Sequence, residues 1–296
     1  MPPAFWTRVL PAVRREFPDV WIMGEVIHGD YPAIVRQSGM DSLTQYELWK
    51  AIWSSLESAN FYELDWSLKR HNEFLESFAP QTFVGNHDVT RIASRVGDAG
   101  ASLAMTVLFT VGGVPSIYYG DEQAFRGVKE DRMGGDDAVR PAFPASPDDL
   151  PGTGEWMYRL IQGLIGIRRR NPWLTHAMTT PVTVDNRRYA YDAVGHGGER
   201  LHVELSLDPA PHAVVSGSDG TVLHRVQPGD CRSSADSSVN GCLSRFRGVD
   251  SVTLKHLSAF QGVAGQVSKL QEPHDFNGNP AGILRISQSG NPLKRR

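Results

Sequence analysis

Residues 82–91 read TFVGNHDVTR. Thr82-Phe83-Val84 is a short apolar run rich in β-branched and aromatic side chains, the composition of a buried strand. Gly85 opens its end, and Asn86, His87, Asp88 and Arg91 follow at once. An amide, an imidazole, a carboxylate and a guanidinium are costly to bury there unless they are paired. The cluster is therefore expected to face a cleft and bind something.

Two other stretches repeat the pattern of an apolar run ending in glycine and acid. Trp21-Ile22-Met23 runs into Gly24-Glu25, and Ser116-Ile117-Tyr118-Tyr119 runs into Gly120-Asp121-Glu122. Helices are expected between them. Residues 4–17 place Trp6, Val9, Leu10, Val13 and Phe17 on one helical face, and Pro18 ends that helix. Residues 45–57 carry Trp49, Ile52, Trp53 and Leu56 at the same spacing. Residues 101–111 are apolar nearly all round, as in a helix buried on several sides. Residues 154–170 form an amphipathic helix through Met157, Leu160, Ile161, Leu164 and Ile165, stopped by Asn171-Pro172. Strands alternating with helices argue for a parallel sheet or barrel.

In such folds ligands bind at the carboxyl ends of the strands, where Glu25, Asp88 and Asp121-Glu122 stand. Two carboxylates converging on one cleft are the equipment for cleaving a glycosidic bond: one donates a proton, the other stays ionised beside the positive sugar. Trp21, Tyr31, Phe83, Tyr118 and Tyr119 supply aromatic faces for sugar rings. From the residues alone, Glu25 is the acid and Asp88 the nucleophile. Tyr118, Tyr119, Asp121 and Glu122 read as structural residues rather than catalysts. Arg140-Pro141, in GGDDAVRPAFP, is read as part of a loop over the cleft, either touching sugar or solvated.

After Pro172 the rhythm changes. Pro181–Val184, Tyr189–Tyr191 and Leu201–Leu207 read as strands of a small antiparallel β domain. From about Gln227 periodicity fades. The expected organisation is 1–172 as an α/β unit built on a parallel sheet or barrel, 173–226 as β domain and 227–296 as an irregular tail of no assigned fold. The 296 residues are 40% apolar and 21% charged, with a net charge of -3, which gives no reason to expect nucleic acid or an anionic membrane as partner. No apolar run approaches a membrane span. Met1-Pro2-Pro3-Ala4 has no basic region leading into an apolar stretch, so no signal peptide is expected, and compartment stays open. Cys231 and Cys242 fit no zinc spacing.

WIMGEV (21–26) and FVGNHDVTR (83–91) resemble two short segments of the alpha-amylase family of glycoside hydrolases. GGVPSIYYGDE (112–122) resembles the segment on that family's eighth barrel strand, and LIGIRRRNPWL (164–174) its last barrel helix. The resemblance covers roughly residues 1–215. It implies the second half of a (β/α)8 TIM barrel, strands five to eight, followed by a small antiparallel β-sandwich. By resemblance Glu25 is the general acid/base and Asp88 the acid that stabilises the transition state. His87 matches the imidazole that bonds the reactive sugar and Arg91 a substrate-side arginine. Asn86 and Tyr31 complete the expected substrate-binding set. The family's nucleophile, in a Gly-x-Arg-x-Asp segment, has no match here, so it is expected just upstream of Met1 and the chain reads as a C-terminal fragment. No cofactor is expected; the family's calcium site draws on its other half, and Asp136-Asp137 alone do not make one. The expected partner is an alpha-glucan or alpha-glucoside. The implied activity is retaining hydrolysis of alpha-glucosidic bonds, with transglycosylation or isomerisation of the trehalose synthase kind as runner-up. An inactive, carbohydrate-binding remnant is the reading from a different class.

Overall fold

The computed structural model describes residues 2–227. Cys231, Cys242 and all but the first residue of the tail expected at 227–296 lie outside the described residues. Helix α1 (Pro3–Glu16) leads into β1 (Met23–Gly24), α2 (Tyr31–Ser38), β2 (Ser42–Leu43), α3 (Tyr46–Ser58) and α4 (Phe61–Leu75). β3 (Gln81–Thr82), α5 (Ile92–Thr110), β4 (Val114–Pro115) and α6 (Glu155–Arg170) follow. β1 pairs with β2 and β3 with β4, both parallel, and a parallel bridge from Thr44 to Gln81 joins the pairs. Four short parallel strands thus stand side by side in chain order, as the alternation of strand and helix anticipates.

The sequence places the starts of three of these four strands within two residues and misses one. The strand expected at 116–119 starts at Val114, although the Ser116 amide still donates to the Thr82 carbonyl at 2.8 Å. β2 was not anticipated. Its two residues carry too little pattern to stand out. α2 begins where the Asp30 carboxylate accepts from the Ala33 amide and ends at Gly39, whose φ of 74° suits glycine. α4 begins at Asn60, which accepts from the Tyr62 amide.

Buried hydrogen bonds lock the turn that feeds β4. The Arg168 guanidinium donates to the carbonyls of Phe109 (3.1 Å), Val111 (2.9 Å) and Gly113. His71, fully buried, has Nε2 at 3.0 Å from the Gly112 carbonyl and Nδ1 at 3.3 Å from the Gln45 amide nitrogen. Burial pushes the imidazole down to about 4, against the pull of the Gly112 carbonyl. It is therefore neutral, donating to Gly112 and accepting from Gln45.

β5 (Met178–Val184), β6 (Arg188–Val194), β7 (Arg200–Ser206), β8 (His212–Gly217) and β9 (Val222–Val226) form one antiparallel sheet in that order. Period-two alternation buries Tyr189, Tyr191, Ala193, Leu201, Val203 and Leu205 on one face. Pro181 sits at a register shift on β5, an edge strand, where its missing N–H costs least. Among the described residues the buried face meets helices rather than a second sheet. The Tyr191 and Thr110 hydroxyls are 2.5 Å apart, Asn72 bonds Thr179 through both amide atoms, and the Tyr189 hydroxyl donates to Asp65. One hydrophobic cluster runs from α3–α6 into the sheet.

Candidate active site

The polar residues gather where β1, β2 and β3 end. β1 and β2 lie close because residue 24 is glycine: a Cβ there would stand 2.6 Å from the Met40 sulfur and 2.9 Å from Leu43 Cδ2. Past the strands, Thr44 Oγ1 accepts from the Val26 amide at 3.0 Å and donates to its carbonyl at 3.2 Å. This fixes Glu25, which is 8% exposed, against the start of α3. There the Tyr46 hydroxyl donates to Glu25 Oε1 at 2.9 Å. Asn86 Nδ2 donates to the same hydroxyl at 2.8 Å, and Asn86 Oδ1 accepts from the Asp88 amide at 2.8 Å. Glu25 and the Asp88 turn, distant in sequence, are thus joined through two side chains.

Asp88 lies among cations and an imidazole. Its Oδ1 is 3.1 Å from His87 Nε2 and accepts from Arg140 Nη2 at 2.8 Å. Arg140 Nε also donates to the His87 carbonyl at 2.9 Å, and Nη2 to Asp136 at 2.7 Å. Lys129 Nζ stands 3.2 Å from the other Asp136 oxygen. The loop carrying Arg140 is held by a Tyr119 hydroxyl bond to the Pro141 carbonyl at 2.8 Å. Asp136 is thus paired with both Lys129 and Arg140. No group of three or more His, Cys, Asp or Glu able to hold a metal occurs among the described residues. No helix among them is long and apolar enough to cross a membrane.

Glu25, Asn86, His87 and Asp88 are brought together; three expected sugar-side residues are not at the surface. Arg91 is 0% exposed. Its guanidinium donates to Asp121 Oδ1 (2.9 Å), the Tyr119 carbonyl (2.6 Å) and the Val139 carbonyl (3.0 Å), and lies 4.2 Å from the Tyr118 ring centre. A side chain without exposed area cannot touch a sugar, so Arg91 is an interior strut rather than the substrate-side arginine expected. Asp121, its partner, is 1% exposed. Burial pushes its carboxyl up to about 6, partly opposed by the Arg91 charge. Gly85 makes room for it, since a Cβ there would meet Asp121 Oδ2 at 2.5 Å. Tyr31 is likewise 0% exposed. Its hydroxyl donates to the Val26 and Ile27 carbonyls and its ring stacks on Phe74 at 5.1 Å. Phe83, expected to offer a sugar face, is buried against Tyr46 and Trp49.

Tyr46 is the site residue that sequence reasoning missed. It opens a helix whose apolar face was read from Trp49 onward. The signal was positional, because Tyr46 follows directly on the end of a parallel strand, where such folds bind ligands. The expected loop over the cleft contains Arg140, but nothing in the sequence ties it to Asp88, 52 residues away.

Parallel strands in sequence order, each followed by helix, with two acids at their carboxyl ends, define a β/α-barrel type of active-site rim. A family model described as the alpha amylase catalytic domain matches residues 3–150. The chain belongs to the alpha-amylase family of glycoside hydrolases. An alpha-amylase of Streptomyces lividans is 30% identical over 233 residues, covering 64% of this chain and 24% of its own length. A cyclomaltodextrin glucanotransferase of Paenibacillus macerans is 28% identical over 172 residues, covering 56% of this chain and 22% of its own. An alpha-amylase of Geobacillus thermoleovorans, solved with acarbose, superposes with a TM-score of 0.55 at 22% identity, over 74% of this chain and 49% of that one. The chain thus spans about a quarter of the length of these two curated relatives.

Proposed function

We propose that this chain forms the second half of a (β/α)8 barrel, its strands five to eight being β1 to β4, with β5–β9 as an attached C-terminal β domain from residue 173. In this reading it contributes to cleavage of alpha-glucosidic bonds in an alpha-glucan or alpha-glucoside by a retaining mechanism. The observation that carries the proposal is the bonded line from Glu25 through Tyr46 and Asn86 to the Asp88 turn across the ends of adjacent strands.

Glu25, recessed and held by Tyr46, donates the proton to the leaving oxygen and later withdraws one from the acceptor. Asp88 and His87 engage hydroxyls of the reacting ring. As positive charge builds on the sugar, the Asp88 carboxylate stabilises it. Arg140 now bonds Asp88, so a sugar hydroxyl reaching that oxygen must share it with, or displace, the guanidinium. A retaining mechanism also needs a nucleophilic carboxylate. The family's Gly-x-Arg-x-Asp segment, which would supply it, is not in these 296 residues. The relatives include both hydrolases and glucanotransferases, and water and a sugar hydroxyl are alternative acceptors for the same intermediate.

Ligand-observed NMR of the full chain with maltotriose tests this reading. Saturation transfer to the sugar is expected, weakened at least several-fold in Asp88→Asn and in His87→Ala. Absence of transfer, or equal transfer in both variants, would overturn it.

A further inference from the structure

We infer that Asn86 and Tyr46 form a one-way hydrogen-bond relay that reserves Oε1 of Glu25 for a donated bond and so places the transferable proton of Glu25 on Oε2. The inference rests on the reading of Glu25 as proton donor and adds two positioning residues, Tyr46 and Asn86.

The direction follows from which atoms can donate. A backbone N–H only donates, so the Asp88 amide requires an oxygen, and the Asn86 carboxamide presents Oδ1 to it. That choice orients the amide and leaves Nδ2 facing Tyr46 at 2.8 Å. An NH2 group only donates, so the tyrosine oxygen must accept there. Its own proton is then directed to the remaining neighbour, Glu25 Oε1, at 2.9 Å. Each link has one sense, and the sense is set by a peptide group rather than by a rotatable hydroxyl.

The ring that delivers the proton is itself held. Tyr46 meets Phe83 edge-on at 4.9 Å and Trp49 at 5.7 Å, and it is buried. Burial, then the facing Glu25 carboxylate, push the phenol well above its ordinary range, so it keeps the proton that it gives. Asp88, with His87 and Arg140 bonded to it, also acts on the tyrosine and raises its pKa further.

The consequence is geometric. A carboxyl oxygen that already accepts a strong bond is the carbonyl-type oxygen of the acid, and the proton goes to the other. Glu25 thus presents one defined atom to the leaving group. Without the relay this bias toward one oxygen is lost.

Isotope-edited infrared spectroscopy of the full chain reads this directly. The Glu25 carboxylate stretch is identified by its disappearance in Glu25→Gln. Tyr46→Phe should shift that band, because one oxygen loses its donor while the ring packing is retained. Asn86→Asp keeps an acceptor for the Asp88 amide but replaces the donor facing Tyr46 by an acceptor, which competes with Glu25 for the tyrosine proton. It should shift the band in the same direction, and much less when Tyr46 is already Phe. An unmoved band in Tyr46→Phe, or an Asn86→Asp shift of equal size with and without Tyr46, would overturn the relay. If Tyr46→Phe fails to fold, Asn86→Asp alone decides: its ring contacts are intact, and an unchanged band refutes the relay. A relay refuted here with maltotriose binding intact leaves the proposed function standing. Lost binding with the bands as expected does the reverse.

Discussion

Replacing Arg91 by methionine separates an interior strut from a sugar contact. The side chain has no exposed area, and its guanidinium bonds Asp121, Tyr119 and Val139 at 2.6–3.0 Å. Methionine fills much of the volume but leaves Asp121 as a buried carboxylate without its cation. Removing one partner of a buried ion pair typically costs about 3–5 kcal/mol. That is a large part of the stability of an ordinary domain. The assay is urea unfolding of the full chain, followed by tryptophan fluorescence at pH 7 and at pH 5. Asp121 already has its folded value raised from 3.8 to about 6. Its contribution is therefore fully present below about 3.8 and is lost as pH rises through about 6. Without Arg91 the raising cause acts unopposed, so the variant gains more than the parent when pH falls and Asp121 takes up a proton. The gap between parent and Arg91→Met should be widest at pH 7 and narrower at pH 5. A loss below about 1 kcal/mol at pH 7, combined with weakened maltotriose binding, would refute the strut and return Arg91 to the substrate side.

Two more substitutions probe the scaffold. His71, lowered from 6.5 to about 4, contributes stability that is complete above pH 6.5 and is lost as pH falls toward 4, by at most about 3 kcal/mol. Because Asp121 acts in the opposite sense over the same range, the effect is read as the difference in urea midpoint between parent and His71→Gln, which should shrink on acidification; a pH-independent difference would contradict it. Gly85→Ala drives a methyl to within 2.5 Å of the buried Asp121 Oδ2 and should cost about 1–3 kcal/mol, seen as a lowered melting temperature; an unchanged melting temperature would show that Asp121 can move.

Much of this arrangement was legible in the sequence, and what was hidden has a physical pattern. α1 and α6 follow the spacing of Trp6 and Leu10 and of Met157 and Leu160, because each buries one stripe, whereas α3 buries Tyr46, Leu48, Ala51, Ile52 and Ser55 and leaves the expected Trp49 and Trp53 only half-buried. Glu25 and Asp88 stood out because an acid directly after an apolar run and a glycine marks a strand end. β2 was hidden because Ser42 and Leu43 are too few to show alternation, and with it went the position of Tyr46. α4 has Phe61, Leu64, Leu68 and Phe74 at helical spacing, but exposed Tyr62 and Trp66 between them blur the stripe. Arg91 and Tyr31 were misplaced for a different reason. Residue type names what a side chain can bond, and only the fold shows that Arg91 meets Asp121 thirty residues on and that Tyr31 meets the carbonyls of Val26 and Ile27. β8 and β9 are hidden because they are short, six and five residues, and joined by the turn around Asp219-Gly220.

The most direct test of the central claim, that Glu25 and Asp88 are two parts of a cleft whose third carboxylate comes from another barrel half, is turnover of an aryl alpha-glucoside by the purified chain, alone and after mixing with a polypeptide carrying the family's Gly-x-Arg-x-Asp half-barrel. A rate equal to buffer is expected for the chain alone. Turnover is expected in the mixture, reduced roughly 10²–10⁴-fold by Glu25→Gln on a substrate with a poor leaving group. Normal turnover by the chain alone, abolished by Asp88→Asn, would contradict the claim and make Asp88 the nucleophile.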